Sequence, residues 1–207
     1  MIDLIFDTET TGFVQWKLPE DHPEQTQLME LGIILAKGDE VLLEWNQLVY
    51  CTAEPSEGAF NAHKISREMC QEAGVSLRHA VEIFNLRLHD VDRVIAHNFN
   101  FDRKVMLCAY AQANAMLRSE NDSREPISPS YFLSKPNVCT MLTATNIVKV
   151  PHPKRGGWKW PTLSEAYRGL VDPDGFENAH RAIHDANATL KVLRKLEGMN
   201  AEFRSAS

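Results

Sequence analysis

Near its start the chain carries the stretch Ile2-Asp3-Leu4-Ile5-Phe6-Asp7-Thr8-Glu9-Thr10-Thr11-Gly12. Its first residues are apolar and rich in β-formers, and a Thr/Gly turn follows. We therefore predict a buried strand over residues 2–6 that ends at the first carboxylates. Asp7 and Glu9 project from the same face of an extended chain, with Cα atoms about 7 Å apart. Because ligand sites are common at strand ends in open sheets, this stretch predicts a sheet with an acidic site at its edge.

Two further acids follow the first pair along the chain. Asp102 closes the stretch His97-Asn98-Phe99-Asn100-Phe101-Asp102, and Asp185 closes His180-Arg181-Ala182-Ile183-His184-Asp185. Hydrolysis of a phosphodiester needs an activated water, charge neutralisation at phosphorus and a stabilised leaving oxygen, which two divalent ions roughly 3.5–4 Å apart can supply. Carboxylates are hard ligands for such ions, and a mobile histidine can take the proton from the water. Together these acids and one histidine predict a two-metal phosphodiesterase.

The remaining pattern places these motifs on separate elements. Residues 28–37 and 41–50 flank Gly38-Asp39-Glu40 and predict a hairpin, so that three antiparallel strands open the domain. The later predicted elements, in chain order, are helical segments over 66–92 divided at Gly74, a strand at 93–96, a helix over about 100–117 with an Asn cap, a loop at 119–136, a short strand at 136–140 with a helix to about 148, a loop at 151–161, and helices over 163–170 and 179–197.

Length and composition set limits on the class of protein. The 207 residues, 43% of them hydrophobic, fit one domain over residues 1–207. No apolar run approaches the roughly 18 residues that span a bilayer, and the N-terminus has no signal-peptide pattern, so we expect a cytoplasmic protein with no membrane partner. The cysteines have no Cys-x-x-Cys spacing, which predicts reduced, mostly buried thiols at Cys51, Cys70, Cys108 and Cys139. A net charge of −6 argues against a broad nucleic-acid-coating face, but not against a nuclease.

Several of these residues also have a structural interpretation. Asp102 alone would more often be a helix cap, Asp185 a solvated helix residue, and Glu30 a structural acid on the second strand. His63 is either a helix-start residue or a contact to a terminal nucleotide. Trp158 and Trp160 either pack their loop or, interleaved with basic residues, hold a single strand by stacking and phosphate contact.

The three acidic motifs resemble those of the DEDD superfamily of 3′ to 5′ exonucleases. They match as Asp7-x-Glu9, His97-Asn98-x-x-Phe101-Asp102 and His180-x-Ala182-x-x-Asp185. A histidine five residues before the last acid is typical of the DEDDh subclass, and the tyrosine of the other subclass is replaced here by Arg181. The resemblance covers residues 2 to about 197, which leaves residues 198–207 as a short tail.

This resemblance implies an α/β, ribonuclease H-like fold with a mixed five-stranded sheet, antiparallel over its first three strands and parallel over the last two, flanked by helices. It implies two Mg²⁺ or Mn²⁺ ions and release of nucleoside monophosphates from a nucleic-acid 3′ end. The metal ligands would be Asp7, Glu9, Asp102 and Asp185, with His180 as the general base. The expected substrate contacts are Thr8, Thr10, His63, Asn98, Phe101, Trp158 and Trp160.

Within the superfamily the chain looks most like proofreading exonuclease subunits of bacterial replicative polymerases and like small stand-alone DNA exonucleases. Proofreading subunits have a long C-terminal tail that binds the polymerase, whereas only residues 198–207 follow the last predicted helix here. This difference favours a free-standing enzyme over a polymerase partnership. We expect single-stranded DNA as the substrate. An RNA-trimming enzyme, a non-catalytic module that binds strand ends, and a metal-dependent phosphatase or nucleotidase stay open, as does the oligomeric state.

Two histidines compete for the role of base. His184 precedes Asp185 by one residue, which on a helix turns its side chain about 100° away from the acids. His180 can serve only if it stands at or before the helix start, where Asn178 offers a cap after Pro173-Asp174-Gly175. The spacing therefore favours His180.

Overall fold

In a computed structural model of the protein, the described residues are 1–119 and 123–205, with side chains described up to residue 199. The sheet has five strands in the order β3-β2-β1-β4-β5. They are β1 (Asp3–Thr10), β2 (Leu28–Lys37), β3 (Glu40–Leu48), β4 (Arg93–Ala96) and β5 (Asn137–Cys139). The β1–β2 and β2–β3 pairs are antiparallel, and the β1–β4 and β4–β5 pairs are parallel. The fold is the ribonuclease H-like α/β fold that the motifs predict.

Helices cover both faces of this sheet. They are α1 (Glu57–His63), α2 (Arg67–Ala73), α3 (Leu77–Arg87), α4 (Phe99–Ser119), α5 (Ser130–Ser134), α6 (Thr140–Val148), α7 (Leu163–Leu170) and α8 (Ala182–Ser205), with a 3₁₀ turn at Leu88–Asp90. Serine side chains cap α1, α2 and α3, and α7 begins with a capping box between Thr162 and Glu165.

Alternation along β1 assigns its residues to the two faces. Leu4 and Phe6 belong to the larger core, where the ring of Phe6 contacts aromatic rings of α3, α4 and α5. Ile5 belongs to the smaller core, together with Ala186, Leu190 and Leu193 of α8. Side chains two residues apart on a strand share a face. Asp7 and Glu9 therefore face the side of α8, and Thr8 faces the side of α4.

Several predicted boundaries were wrong. β1 does not end at residue 6 but runs through the acids to Thr10, because residues 7–10 keep pairing with β2. Helix α1 was not predicted, and α5 lies inside the predicted 119–136 loop. The start of α4 agrees with the prediction to within one residue: the helix begins at Phe99, directly after Asn98, which has φ of 66°.

The last helix also differs from the prediction. α8 begins at Ala182 instead of residue 179, and it continues through Ser205 instead of ending near residue 197. Asn178 and His180 both have positive φ, 56° and 68°, so the backbone before Ala182 cannot be helical. Asn178 is therefore not the helix cap.

The structure also bears on the predictions for the cysteines and for membrane-spanning helices. The four cysteines are free thiols, of which Cys51, Cys70 and Cys108 are buried and Cys139 is partly buried, as predicted. Among the helices that the structure describes, none combines the length and apolar character needed to cross a bilayer.

Candidate active site

The first two acids lie near the C-terminal end of β1, the central strand. Asp7 lies opposite Gly32 of β2, and Glu9 lies opposite Glu30. Both acids face α8, the helix that carries Asp185. The sheet and this helix thus hold three of the predicted acids on one side of β1.

Asp102 comes from the other side of β1. It lies in the first turn of α4 and is only 3% exposed. The hydroxyl of Thr8 donates a hydrogen bond of 2.8 Å to its Oδ1, across the side of β1 that faces α4. Thr8, a predicted substrate contact, is 6% exposed and holds this acid in place. Asp102 is therefore a fixed carboxylate at the edge of the site.

Asp185 and His180 meet at the start of α8. The backbone N–H of His180 donates to both carboxylate oxygens of Asp185, at 3.2 and 3.3 Å. Ligand atoms of Glu9, His180 and Asp185 all lie within 4.8 Å of one another. Two carboxylates and an imidazole so close together form a donor set that suits a divalent cation.

The carboxyl groups of this cluster have raised pKa values. Burial, supported by the charges of Asp102, Asp185 and Glu9, raises the pKa of Asp7 well above its usual value. Burial and the neighbouring acids raise the pKa of Glu9 to about 8. Burial also raises the pKa of Asp102 to about 7 and that of Asp185 to about 6. Burial is the main cause of these raised pKa values and the neighbouring carboxylates add to it, so a divalent cation bound among these groups would favour their ionised forms.

The structure distinguishes the two histidines of the third motif. His180 stands two residues before α8, on a left-handed turn, and its ring reaches Glu9 and Asp185. His184 lies in the first turn of α8 and is exposed, and its ring is not part of that group. His180 therefore has the position outside the helix that the spacing argument requires.

Two more histidines, His97 of the second motif and His63 of α1, form hydrogen bonds to the backbone. Both ring nitrogens of His97 are hydrogen-bonded, Nδ1 to the Thr140 hydroxyl at 2.9 Å and Nε2 to the Pro161 carbonyl at 3.0 Å. His63 is 4% exposed; its Nε2 contacts the Thr10 carbonyl at 3.1 Å, and its Nδ1 accepts from the N–H of Ile65 at 3.0 Å. Both ring nitrogens of His63 therefore have backbone partners, one of them at the end of β1.

An open cavity of about 670 Å³ lies beside the second motif. Asn98 and Phe101 line it, together with Trp160 from the 151–161 loop. Trp158 does not line it, although 48% of its surface is exposed. The other lining residues are Phe13, Trp16, Asn100, Arg103, Lys104, Leu107, Cys139, Met141 and Leu142. The cavity therefore combines aromatic and basic side chains.

Of the residues that line this cavity, the sequence predicted only Asn98, Phe101 and Trp160; among the others, Phe13 and Trp16 are the aromatic ones. They are 86% and 62% exposed, on the loop between β1 and β2. The amide of Gln25 holds this loop by donating to the carbonyls of Gln15, Leu18 and Pro19 at 2.9, 3.1 and 3.1 Å. The available signal was local: Phe13 directly follows Gly12, and Trp16 lies three residues further along the same loop.

The chain is similar to known exonucleases in sequence and in structure. A family model described as Exonuclease matches residues 4–193. Escherichia coli Exonuclease I in complex with a dT13 oligonucleotide superimposes with a TM-score of 0.70 at 14% identity, over 99% of this chain and 43% of that chain. Exonuclease I from Methylocaldum szegediense gives 0.65 at 17% identity, over 95% and 40%.

A protein of similar length also matches. Exonuclease X in complex with 5′ overhanging duplex DNA gives a TM-score of 0.58 at 19% identity, over 96% of this chain and 93% of that chain. The chain spans less than half the length of the Exonuclease I chains. No curated protein matches it significantly. At these identities the structural likenesses show a shared fold.

Proposed function

Because the chain belongs to the exonuclease family, in its DEDDh, ribonuclease H-like branch, we propose that it removes nucleoside monophosphates from the 3′ end of single-stranded DNA. The observation that carries the proposal is the approach of Glu9, His180 and Asp185 ligand atoms within 4.8 Å, with Asp7 and Asp102 adding their charges to the same cluster.

The acids would bind the metal ions. Hard oxygen donors come from Asp7, Glu9, Asp102 and Asp185. We propose that these carboxylates are the ligands of two Mg²⁺ or Mn²⁺ ions. Such ions neutralise charge at the phosphate and lower the pKa of a bound water. One relative, E. coli Exonuclease I, occurs in a zinc-bound form with single-stranded DNA. That form supports a divalent cation in this fold.

The histidine would move the proton. Water attacks phosphorus and the bond from phosphorus to the 3′ oxygen of the preceding nucleotide breaks, which releases a 5′-monophosphate and leaves a new 3′ hydroxyl. His180 is placed to accept the water proton, and the leaving oxygen takes up a proton in turn. Processes that create unpaired 3′ ends, such as DNA replication, repair and proofreading, are the proposed setting.

The cavity supports the choice of a single strand. Trp16 and Trp160 come from two different loops and expose 62% and 66% of their surface in the same cavity. Unpaired bases stack on such rings, whereas paired bases are already stacked on each other. Arg103 on the neighbouring wall adds a positive charge for the backbone.

The test uses linear oligonucleotides labelled at the 5′ end, as DNA and as RNA, with Mn²⁺ or Mg²⁺. We expect a ladder shortened from the 3′ end, mononucleotide products, inhibition by a 3′-phosphate and no activity in the presence of a chelator. The Asp7→Asn protein, purified identically, is the control for contaminating nucleases. Equal cutting of circular and linear single strands would refute an exonuclease, and much faster cutting of RNA would replace the proposed substrate.

A further inference from the structure

Glu30 of β2 is a buried carboxylate with an unusually complete set of partners. Its side chain is fully buried, and it accepts hydrogen bonds from the Arg181 guanidinium at 2.6, 3.1 and 3.2 Å. It also accepts from the backbone N–H of Ala182 at 2.9 Å and from the Asn46 amide at 3.1 Å. A buried carboxylate needs such partners to remain charged. These hydrogen bonds outweigh burial and hold the pKa of Glu30 below its usual value.

Two of the three partners of Glu30, Arg181 and Ala182, directly follow His180 in the chain. Arg181 and Ala182 are therefore held to β2 at the strand position opposite Glu9. On the other side of this short segment, the N–H of His180 is held by the carboxylate of Asp185. His180 thus lies between two anchors, one on the sheet and one on α8.

The backbone of His180 explains why anchors are needed. Its φ of 68° lies in the left-handed region, which is strained for a non-glycine residue and persists only where surrounding contacts hold it. Without the contacts to Arg181 and Ala182, an ordinary helical conformation would be open to the segment. His180 would then turn away from Asp185, because residues five apart on a helix are about 140° apart.

We propose that Glu30 and Arg181 are positioning residues that hold His180 over the acids. The inference rests on the proposed role of His180 as the general base. An ion pair that only stabilised the fold would not need to form hydrogen bonds to the residues next to the base. Another buried acid in the same sheet shows the difference: Asp3, 1% exposed, pairs with Arg93 and Arg194 at the opposite end of β1.

The experiment is a double-mutant cycle of Glu30→Gln and His180→Ala, measured as kcat on a single-stranded oligonucleotide at saturating Mn²⁺. We expect Glu30→Gln alone to lower kcat about 10- to 100-fold, as misplacement of a catalytic group does, with KM changed less than about threefold. In the His180→Ala background the same substitution should remove little further activity, because the group that it positions is already absent.

The matched control is Asp3→Asn, which removes a buried, paired charge from the same sheet and should lower the melting temperature while kcat stays near that of the unmodified protein. Arg181→Lys is the second variant if Glu30→Gln does not fold, since the Arg181 side chain is 42% exposed and lysine keeps the charge. It should give a smaller loss of kcat that also disappears in the His180→Ala background.

Three results would overturn the inference, and the third is distinguishable from the first two. Equal losses in both backgrounds, or full kcat in Glu30→Gln and Arg181→Lys, would leave the pair with a structural role only. Full kcat in His180→Ala would overturn the proposed base, and this inference with it.

Discussion

Gly32 of β2 lies directly against the backbone of Ala182 at the start of α8. A Cβ on Gly32 would come within 2.5 Å of the Ala182 carbonyl carbon and 2.6 Å of the Ile183 nitrogen. Gly32 is also the residue opposite Asp7 in the β1–β2 register. The absence of a side chain at this position therefore lets the helix that carries Asp185 approach the strand that carries Asp7.

Replacing Gly32 by alanine should separate these two elements. The obstacle is backbone, which cannot rotate away, so α8 has to shift, and overpacking of this kind costs about 1–3 kcal/mol. We expect a lower melting temperature together with a large loss of kcat, measured by thermal unfolding and by oligonucleotide digestion. Gly198→Ala is the control. Gly198 lies on the same helix, α8, and apart from the helix's own backbone a Cβ there meets nothing within 4 Å. Unchanged kcat in Gly32→Ala would show that the close approach is not needed for activity.

The acidic cluster should make the metal-free protein less stable as pH rises. Carboxyl groups with raised pKa values bind protons more tightly in the folded state than in the unfolded chain. The stability that they contribute is therefore present near pH 4 and is lost as pH rises toward the pKa of Glu9, about 8. We expect the melting temperature in a chelator to fall across this window through these groups.

A divalent ion should reverse this trend, since it binds the ionised carboxylates and must displace protons at lower pH. The rise in melting temperature on adding Mn²⁺ should be larger at pH 8 than at pH 6. Asp7→Asn should flatten the pH dependence in the chelator and reduce the effect of Mn²⁺, while the exposed Asp39→Asn should change neither. An equal effect of Mn²⁺ at both pH values would contradict the titration of this cluster.

Much of this site could be predicted from local sequence. The acids Asp7, Glu9, Asp102 and Asp185 stand in short patterns whose spacing is itself the signal, and the resemblance of these motifs to one family implies the mixed five-stranded sheet. The end of β1 was misplaced because the Thr-rich continuation of the strand is held by pairing with residues 28–32, which no local pattern reveals.

Other parts of the site depend on contacts between distant residues. The start of α8 was placed too early because the left-handed turn at His180 is held by Glu30, 152 residues before Ala182 in the chain. From the sequence alone, Glu30 was interpreted as a structural acid. No sequence pattern identified Arg181 as its partner. Likewise Trp16 and Trp160 line one cavity only because the fold brings their two loops together.

The two cavity tryptophans should affect binding more than chemistry. Trp16→Ala and Trp160→Ala should each raise KM for a single-stranded oligonucleotide about 5- to 100-fold, since stacking contributes about 1–3 kcal/mol per base, with a smaller change in kcat. Trp158→Ala is the matched control, because Trp158 is exposed on the same loop as Trp160 but does not line the cavity.

A small substrate separates the cavity from the acidic site. Hydrolysis of the p-nitrophenyl ester of thymidine 5′-monophosphate requires the acids but leaves no upstream bases to stack, so the tryptophan variants should retain it. If Trp158→Ala raised KM as much as Trp160→Ala does, the bound strand would follow the loop surface rather than the cavity.

The choice between His180 and His184 gives the most direct test of the chemistry. His180 stands before α8 with its ring within 4.8 Å of ligand atoms of Glu9 and Asp185, whereas His184 lies on the first turn of the helix and its ring is not part of that group. His180→Ala should lower kcat about 10²- to 10⁴-fold, the usual contribution of a general base, and should remove the acidic limb of the pH–rate profile at saturating metal. His184→Ala should keep most activity.

Since His180 also lies close enough to ligate a cation, the Mn²⁺ concentration for half-maximal rate of His180→Ala decides its role. An unchanged concentration supports a base, and a large increase identifies a metal ligand. The reverse ranking of the two variants would assign the proton transfer to His184, and equal mild losses would mean that neither histidine is the base.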